Sequence, residues 1–222
     1  VFQIAASSGE APPISERWSL HDSALASSVR STVESLSGRR CADASYVDLY
    51  SCFPSAVQVQ ARALGLDGER PLTLTGGMRF SGGPWCGYAM HGFAATVAAL
   101  RNDPGALGLV SANGGAITKL VVTMLSTEPS DEFRYASAQE AIDAAPRRTL
   151  AEGYEGAATV ESYTVMHGRG GVVENGIVAA LLPDGRRAWG IVRDASQAAL
   201  MTEEDVVGAS VDLAADGTAT LR

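Results

Sequence analysis

The chain has 222 residues, is 46% hydrophobic and 19% charged, and carries a formal net charge of −8 at pH 7. These totals describe a soluble globular protein with one substantial core or two smaller ones, and exclude disordered and fibrous classes. The acidic balance would repel nucleic-acid phosphates, and no basic block offsets it, so a nucleic-acid backbone is excluded as the main partner. Cys41, Cys52 and Cys86 are an odd set without CxxC spacing, which predicts a reducing, cytoplasmic setting with neither a disulfide framework nor a zinc site. His21, His91 and His167 stand far apart without a paired carboxylate motif, so no metal is expected. No apolar run reaches the roughly 20 residues of a membrane span.

The start, Val1-Phe2-Gln3-Ile4-Ala5-Ala6, reads as a strand in mid-sheet and has neither an initiator Met nor a basic leader, which suggests a fragment or processed piece. A polar loop is expected from Ser7 to Pro13. A helix follows over 23–36, with Ser23 as N-cap and Leu25, Val29, Val33 and Leu36 at helical spacing. Residues 46–50 form a short strand, and Pro54 opens a helix that ends at Gly65. A strand is predicted over 72–75, followed by a Gly-rich loop to Gly87 and a helix from Tyr88 to Arg101. Two apolar strands, 106–111 and 117–125, are joined through Ala112-Asn113-Gly114-Gly115. A domain boundary is placed between Thr127 and Arg148, giving domains at 1–135 and 149–222. Beyond it, short strands at 159–165, 176–182, 187–192 and 206–213, a tail at 219–221 and a helical turn near 195–201 predict a small β-barrel.

Several ordered motifs carry a family resemblance. They are Asp48-Leu49-Tyr50-Ser51-Cys52-Phe53-Pro54, then Thr75-Gly76-Gly77, then Ser81-Gly82-Gly83-Pro84, then Gly108 through Gly115. Residues 47–127 resemble the C-terminal domain of thiolases, in particular thiolase-like proteins of the acetyl-CoA acetyltransferase family that carry an extra C-terminal domain. The resemblance implies a layered α/β domain followed by an OB-like β-barrel. It also implies acyl-CoA acyltransferase chemistry in lipid metabolism, with a coenzyme A thioester as substrate and no metal. The expected partner is a thiolase N-terminal half or a second copy of the chain, since the nucleophilic cysteine of thiolases sits in the N-terminal half.

The usual catalytic groups are replaced. Tyr50-Ser51-Cys52-Phe53 stands where thiolases carry Asn-Glu-Ala-Phe, and Cys52-Phe53 leans toward the His-Asp-Cys-Phe loop of sterol-carrier thiolases. Gly83 replaces the histidine of Gly-His-Pro, and Ala112-Asn113 replaces the second cysteine. The remaining candidates are Cys86 in the Gly-rich loop, His91 as substitute base, Cys52, and Tyr50 as an oxyanion-hole hydroxyl. Three of them have a structural alternative: packing for Cys52 and Tyr50, a core or interface role for His91. Gly82, Gly83, Gly114 and Gly115 are either a ligand cradle or tight packing elements. A non-enzymatic acyl-CoA-binding or scaffolding protein is the alternative reading of the whole.

Overall fold

A computed structural model describes residues 1–66 and 69–222. They form two compact units. One comprises Val1–Pro12 and His21–Ala145, the other Pro13–Leu20 and Pro146–Arg222.

The first unit is built on a mixed sheet of β1 (Phe2–Glu10), β2 (Tyr46–Asp48), β3 (Leu107–Gly114), β4 (Lys119–Ser126) and β5 (Arg134–Ser137), in the order β2-β3-β4-β1-β5. β4 runs antiparallel to both β1 and β3, while β2 and β5 add in parallel at the two edges. Helix α1 (Ala24–Ser37) starts where Ser23 accepts a hydrogen bond from the Ala26 amide, and ends at Gly38 with a left-handed φ of 66°. Its apolar stripe, Leu25, Val29 and Val33, shares one core with Leu109, Leu120, Val122 and Met124 of the sheet. Ala61 and Leu64 of α2 (Pro54–Leu64) join the same core. A four-residue helix α3 (Met78–Ser81) and the longer α4 (Tyr88–Arg101) follow. α4 lies tight on the sheet: a Cβ at Gly108 would meet the Thr96 methyl at 2.4 Å, and one at Gly92 would meet Asp48 Oδ1 at 2.7 Å. The short helix α5 (Gln139–Asp143) buries Ile142 inside the interval expected to be a linker.

Two sequence expectations are corrected here. β1 continues through Glu10 instead of yielding to a loop at Ser7, because Ser7 and Ser8 are paired on one side with Val122 and Val121 and on the other with Ala136 and Ser137. Serines flanked by strands on both sides are held by the ladders, which polarity in the sequence does not reveal. Residues 72–75 do not form a strand. The Leu74 and Thr75 amides are taken by the side chain of Asp48, so they are not available to a ladder.

The second unit has one antiparallel sheet of β6 (Gly156–His167), β7 (Val173–Leu181), β8 (Arg187–Val192), β9 (Ser210–Leu213) and β10 (Ala219–Leu221), in the order β10-β9-β6-β7-β8. Helix α6 (Ala195–Glu203) is capped by Asp194, which accepts from the Ser196 and Gln197 amides. Val160, Val178, Val192, Met201, Val211 and Leu213 form the core. The edge strand β8 reaches the chain just before β10 through a single bridge, Ile191 to Thr218, and the Ile191 amide donates to the Gly217 carbonyl at 2.8 Å. The sheet therefore curls, and among the described residues no ladder closes it: the five strands form one sheet, and the OB-like barrel expected from the sequence is not confirmed.

Segment Pro13–Leu20 belongs to this second unit, which no composition signal in the sequence marked. The fully buried Arg187 holds it: Nη1 donates to the carbonyls of Ile14 (3.2 Å), Ser15 (3.0 Å) and Arg17 (2.6 Å). Nε and Nη2 of the same guanidinium donate to the two oxygens of Glu161 at 2.6 and 2.7 Å. Trp189 Nε1 donates to Ser15 Oγ at 3.0 Å, and the Arg148 guanidinium stacks 4.2 Å over the Trp18 ring.

Candidate functional site

β2 delivers the chain to a strand-to-helix elbow. Asp48, its last residue, is buried, and the chain then turns through Leu49–Phe53 before Pro54 opens α2. The Asp48 carboxylate is satisfied by neutral donors. Oδ2 accepts from the amides of Leu74 (2.9 Å) and Thr75 (3.0 Å) and from Thr75 Oγ1 (2.9 Å), while Tyr88 OH stands 3.5 Å from Oδ1. Burying a charged group this way requires such donors, and they pin the start of the Gly-rich loop against the elbow.

From Asp48 the hydroxyls run in series. Thr75 Oγ1 and Tyr88 OH are 2.9 Å apart, Ser51 Oγ donates to Tyr88 OH at 3.1 Å, and the Met78 amide donates to Ser51 Oγ at 3.0 Å. Thr75 spends its single proton on Asp48, so the Tyr88 proton is shared between Thr75 Oγ1 and Asp48 Oδ1, and Ser51 donates to Tyr88. Every O–H in the series thus points toward the carboxylate. Gly77 leaves the room this needs: a Cβ there would stand 2.9 Å from Ser51 Oγ, and its φ of +79° disfavours any other residue.

A second network clamps Tyr50. Its amide donates to Ser111 Oγ (3.0 Å), Ser111 Oγ donates to Gln60 Oε1 (2.6 Å), and Gln60 Nε2 returns to the Tyr50 carbonyl (3.2 Å). The Tyr50 ring meets Tyr88 edge-on, with centroids 5.3 Å apart. Its hydroxyl is 3.5 Å from the Trp85 carbonyl. Partial burial raises the Tyr50 phenol above its ordinary value, and the nearby Cys52 and Cys86 thiols and Tyr88 add to the rise. Cys52 Sγ donates to Asn113 Oδ1 at 3.5 Å, and Asn113 Nδ2 is buried without a partner among the described residues.

The structure thus brings Tyr50, Cys52 and Cys86 into one neighbourhood. Cys86 is exposed in a 3-10 turn, Trp85–Gly87, whose first residue has a positive φ of 48°. His91 is exposed one turn into α4, its ring 6.3 Å from that of Tyr88. Gly82 and Gly83 lie in open loop with nothing within 4 Å of a Cβ. Gly114 ends β3 and Gly115 opens the β3–β4 turn with a φ of +60°. Asp48, Ser51, Thr75 and Ser111 lie in the motifs that carry the resemblance but were given no role of their own, and Gln60 and Tyr88 were not singled out from sequence. The one available signal was the run of hydroxyl residues on both sides of the elbow and loop. Among the described residues, no group of three or more His, Cys, Asp or Glu is arranged to hold a metal ion. No described helix is long and apolar enough to cross a membrane.

The rim of this site is apolar and uncovered. Phe53, Phe80, Trp85 and Met90 are 68, 79, 89 and 64% exposed, all within the elbow, the loop and the first turn of α4. Exposed large side chains scattered singly are ordinary at a surface; here four fall within the elbow, the loop and the start of α4.

Residues 137–218 match the family model of the thiolase-like protein type 1 additional C-terminal domain. Over its whole length the chain is similar to a solved monomeric SCP2-thiolase-like protein type 1 from Mycobacterium smegmatis, with 33% sequence identity and a TM-score of 0.88. The match covers 100% of this chain and 51% of that structure, so the chain spans about half the length of its solved relative. Comparison with curated proteins gave no match.

Proposed function

We propose that this thiolase-like chain with an extra C-terminal domain forms one wall of an acyl-CoA acyltransferase site, completed by a thiolase N-terminal-type half. The observation that carries this reading is the apolar rim of Phe53, Phe80, Trp85 and Met90 set around Tyr50, Cys86 and His91. A partner half packed there would exclude water from the thiols and the phenol, which strengthens every electrostatic interaction at the reacting carbonyl. In this reading the substrate is a coenzyme A thioester. His91 serves as base, Cys86 as the exposed thiol that exchanges a proton or acyl group, and Tyr50 as a donor to the acyl oxygen; Cys52 supports Asn113 beside them. Gly82, Gly83, Gly114 and Gly115 let the backbone approach the ligand.

The experiment is acyl-CoA turnover by the chain combined with a thiolase N-terminal-type half, repeated for Cys86→Ala and His91→Ala. The reading expects turnover that falls in both variants, by roughly 10²- to 10⁴-fold where His91 acts as general base. Full activity in both variants refutes these roles. The alternative, a non-catalytic acyl-CoA-binding or scaffolding protein, is favoured by Gly83, which puts an exposed glycine where thiolases carry a histidine. That alternative expects acyl-CoA binding without turnover.

A further inference from the structure

The hydroxyl series that ends on Asp48 begins at a serine to which the acyltransferase reading gives no role. Ser51 is half-buried, stands in the strand-to-helix elbow between β2 and α2, and donates to Tyr88 at 3.1 Å. Tyr88 is fully buried and passes the contact to Thr75 at 2.9 Å, which donates to buried Asp48 at 2.9 Å. Two residues beyond Ser51 is the N-terminus of α2, an eleven-residue helix whose N-cap, Phe53, supplies no side-chain hydrogen bond. Pro54 has no N–H and the Ala56 and Val57 amides turn to the Phe53 carbonyl, so it is the helix dipole that supplies positive potential at this end of the elbow. A serine between a strand and a helix, a path for its proton to a carboxylate, and a helix end without a side-chain cap stand together here, though Ser51 lacks the positive φ of a strained nucleophile elbow.

We propose that Ser51 is an acyl-accepting nucleophile that lets this chain, without a second half, hydrolyse an activated acyl group, with acyl thioesters as the substrate class. Only that substrate class rests on the acyl-CoA reading; the nucleophile itself rests on the hydroxyl series. In the first step Ser51 Oγ bonds to the acyl carbon. Its proton moves to Tyr88 as the Tyr88 proton moves to Thr75 and that of Thr75 to Asp48 Oδ2. The C–S bond then breaks, and the departing thiolate takes up one proton as Asp48 returns to its carboxylate form. In the second step water adds to the ester carbon, the Ser51 C–O bond breaks, and a carboxylic acid and the free hydroxyl result. Ser51 is the catalytic residue. Tyr88, Thr75 and Asp48 are positioning residues that act through it.

The test uses the 222-residue chain as it is. It is treated separately with acetyl-CoA and with an alkyl fluorophosphonate, which leaves a stable phosphonyl ester on a nucleophilic serine as fluoride departs, and labelled peptides are mapped by mass spectrometry. The expected result is phosphonylation at Ser51, absent from Ser51→Ala, together with release of free coenzyme A from acetyl-CoA that also disappears in Ser51→Ala. Thr75→Val and Tyr88→Phe are expected to lower the phosphonylation rate by roughly 10²- to 10⁴-fold. Thr75→Ser, which keeps the hydroxyl, restores it, and a merely structural role for the series would not separate Val from Ser at equal melting temperature. An unlabelled Ser51, or label carried only by Cys52 or Cys86, overturns the proposal. Phosphonylation of Ser51 with no reaction toward acetyl-CoA upholds the nucleophile and removes acyl thioesters as its substrate class.

Discussion

Replacing Arg187 with alanine should unfold the second unit or bring it close to unfolding. The side chain is fully buried and makes five hydrogen bonds: two to Glu161, and one each to the carbonyls of Ile14, Ser15 and Arg17. Truncation strands a carboxylate that is only 14% exposed and leaves three carbonyls without their shared donor. Breaking a buried ion pair by removing one partner costs about 3–5 kcal/mol. One effect opposes this: Arg17 is held below the usual guanidinium range by burial and by the nearby Arg187 charge, so removing that charge relieves some repulsion. The lower bound of about 3 kcal/mol is therefore the safer figure. It is a large part of the ~5–15 kcal/mol by which domains are stable. At about 4–8 °C per kcal/mol for a domain of roughly 60–100 residues, the melting temperature should fall by more than about 10 °C. Calorimetry reads that fall, and limited trypsin digestion reads release of the segment as faster cleavage after Arg17. Arg187→Lys keeps the charge but not the fork and should fall between wild type and alanine. A melting temperature within a degree of wild type, with unchanged cleavage after Arg17, would refute the reasoning.

Burial pushes the Cys41 thiol up to about 12 from 9.0, with Glu34 adding to the rise. The folded state therefore resists losing this proton, so stability is full below the unfolded value and declines from about pH 9 toward 12, by up to ~1.4 kcal/mol per unit. Denaturant melts across that range should show the decline, and Cys41→Ala should flatten it. Iodoacetamide should label exposed Cys86 in the native chain and Cys41 only after denaturation, as peptide mapping would show. Gly108→Ala forces a Cβ against the Thr96 methyl at 2.4 Å and should destabilise the first unit by about 1–3 kcal/mol, read from the denaturant midpoint.

The elements with local signals were legible in the sequence. The Ser23 cap and apolar stripe of α1, the Pro54 start and Gly65 end of α2, and the alternating strands β6 to β8 all stand where pattern and end signals put them. What failed depended on partners distant in sequence. Ser7 and Ser8 are strand residues because β4 and β5 flank them, and 72–75 is not a strand because Asp48 takes its amides. The placement of Pro13–Leu20 depends on Arg187, roughly 170 positions away, which no local pattern encodes. At the site, Tyr50, Cys52, Cys86 and His91 could be picked out because each is chemically conspicuous. Ser51 and Thr75, in loops, and Tyr88, the first residue of α4, are ordinary residues until their hydroxyls are seen in series.

The central claim, that the elbow and Gly-rich loop form a wall of an acyl-CoA site, is tested most directly by isothermal titration of the chain with acetyl-CoA, for wild type and Trp85→Ala. The account predicts saturable binding with a Kd no weaker than about 1 mM, equivalent to ~4 kcal/mol, weakened at least severalfold in Trp85→Ala because that ring is the most exposed part of the rim. Absence of saturable binding in the wild type, or equal binding in the variant, would contradict it.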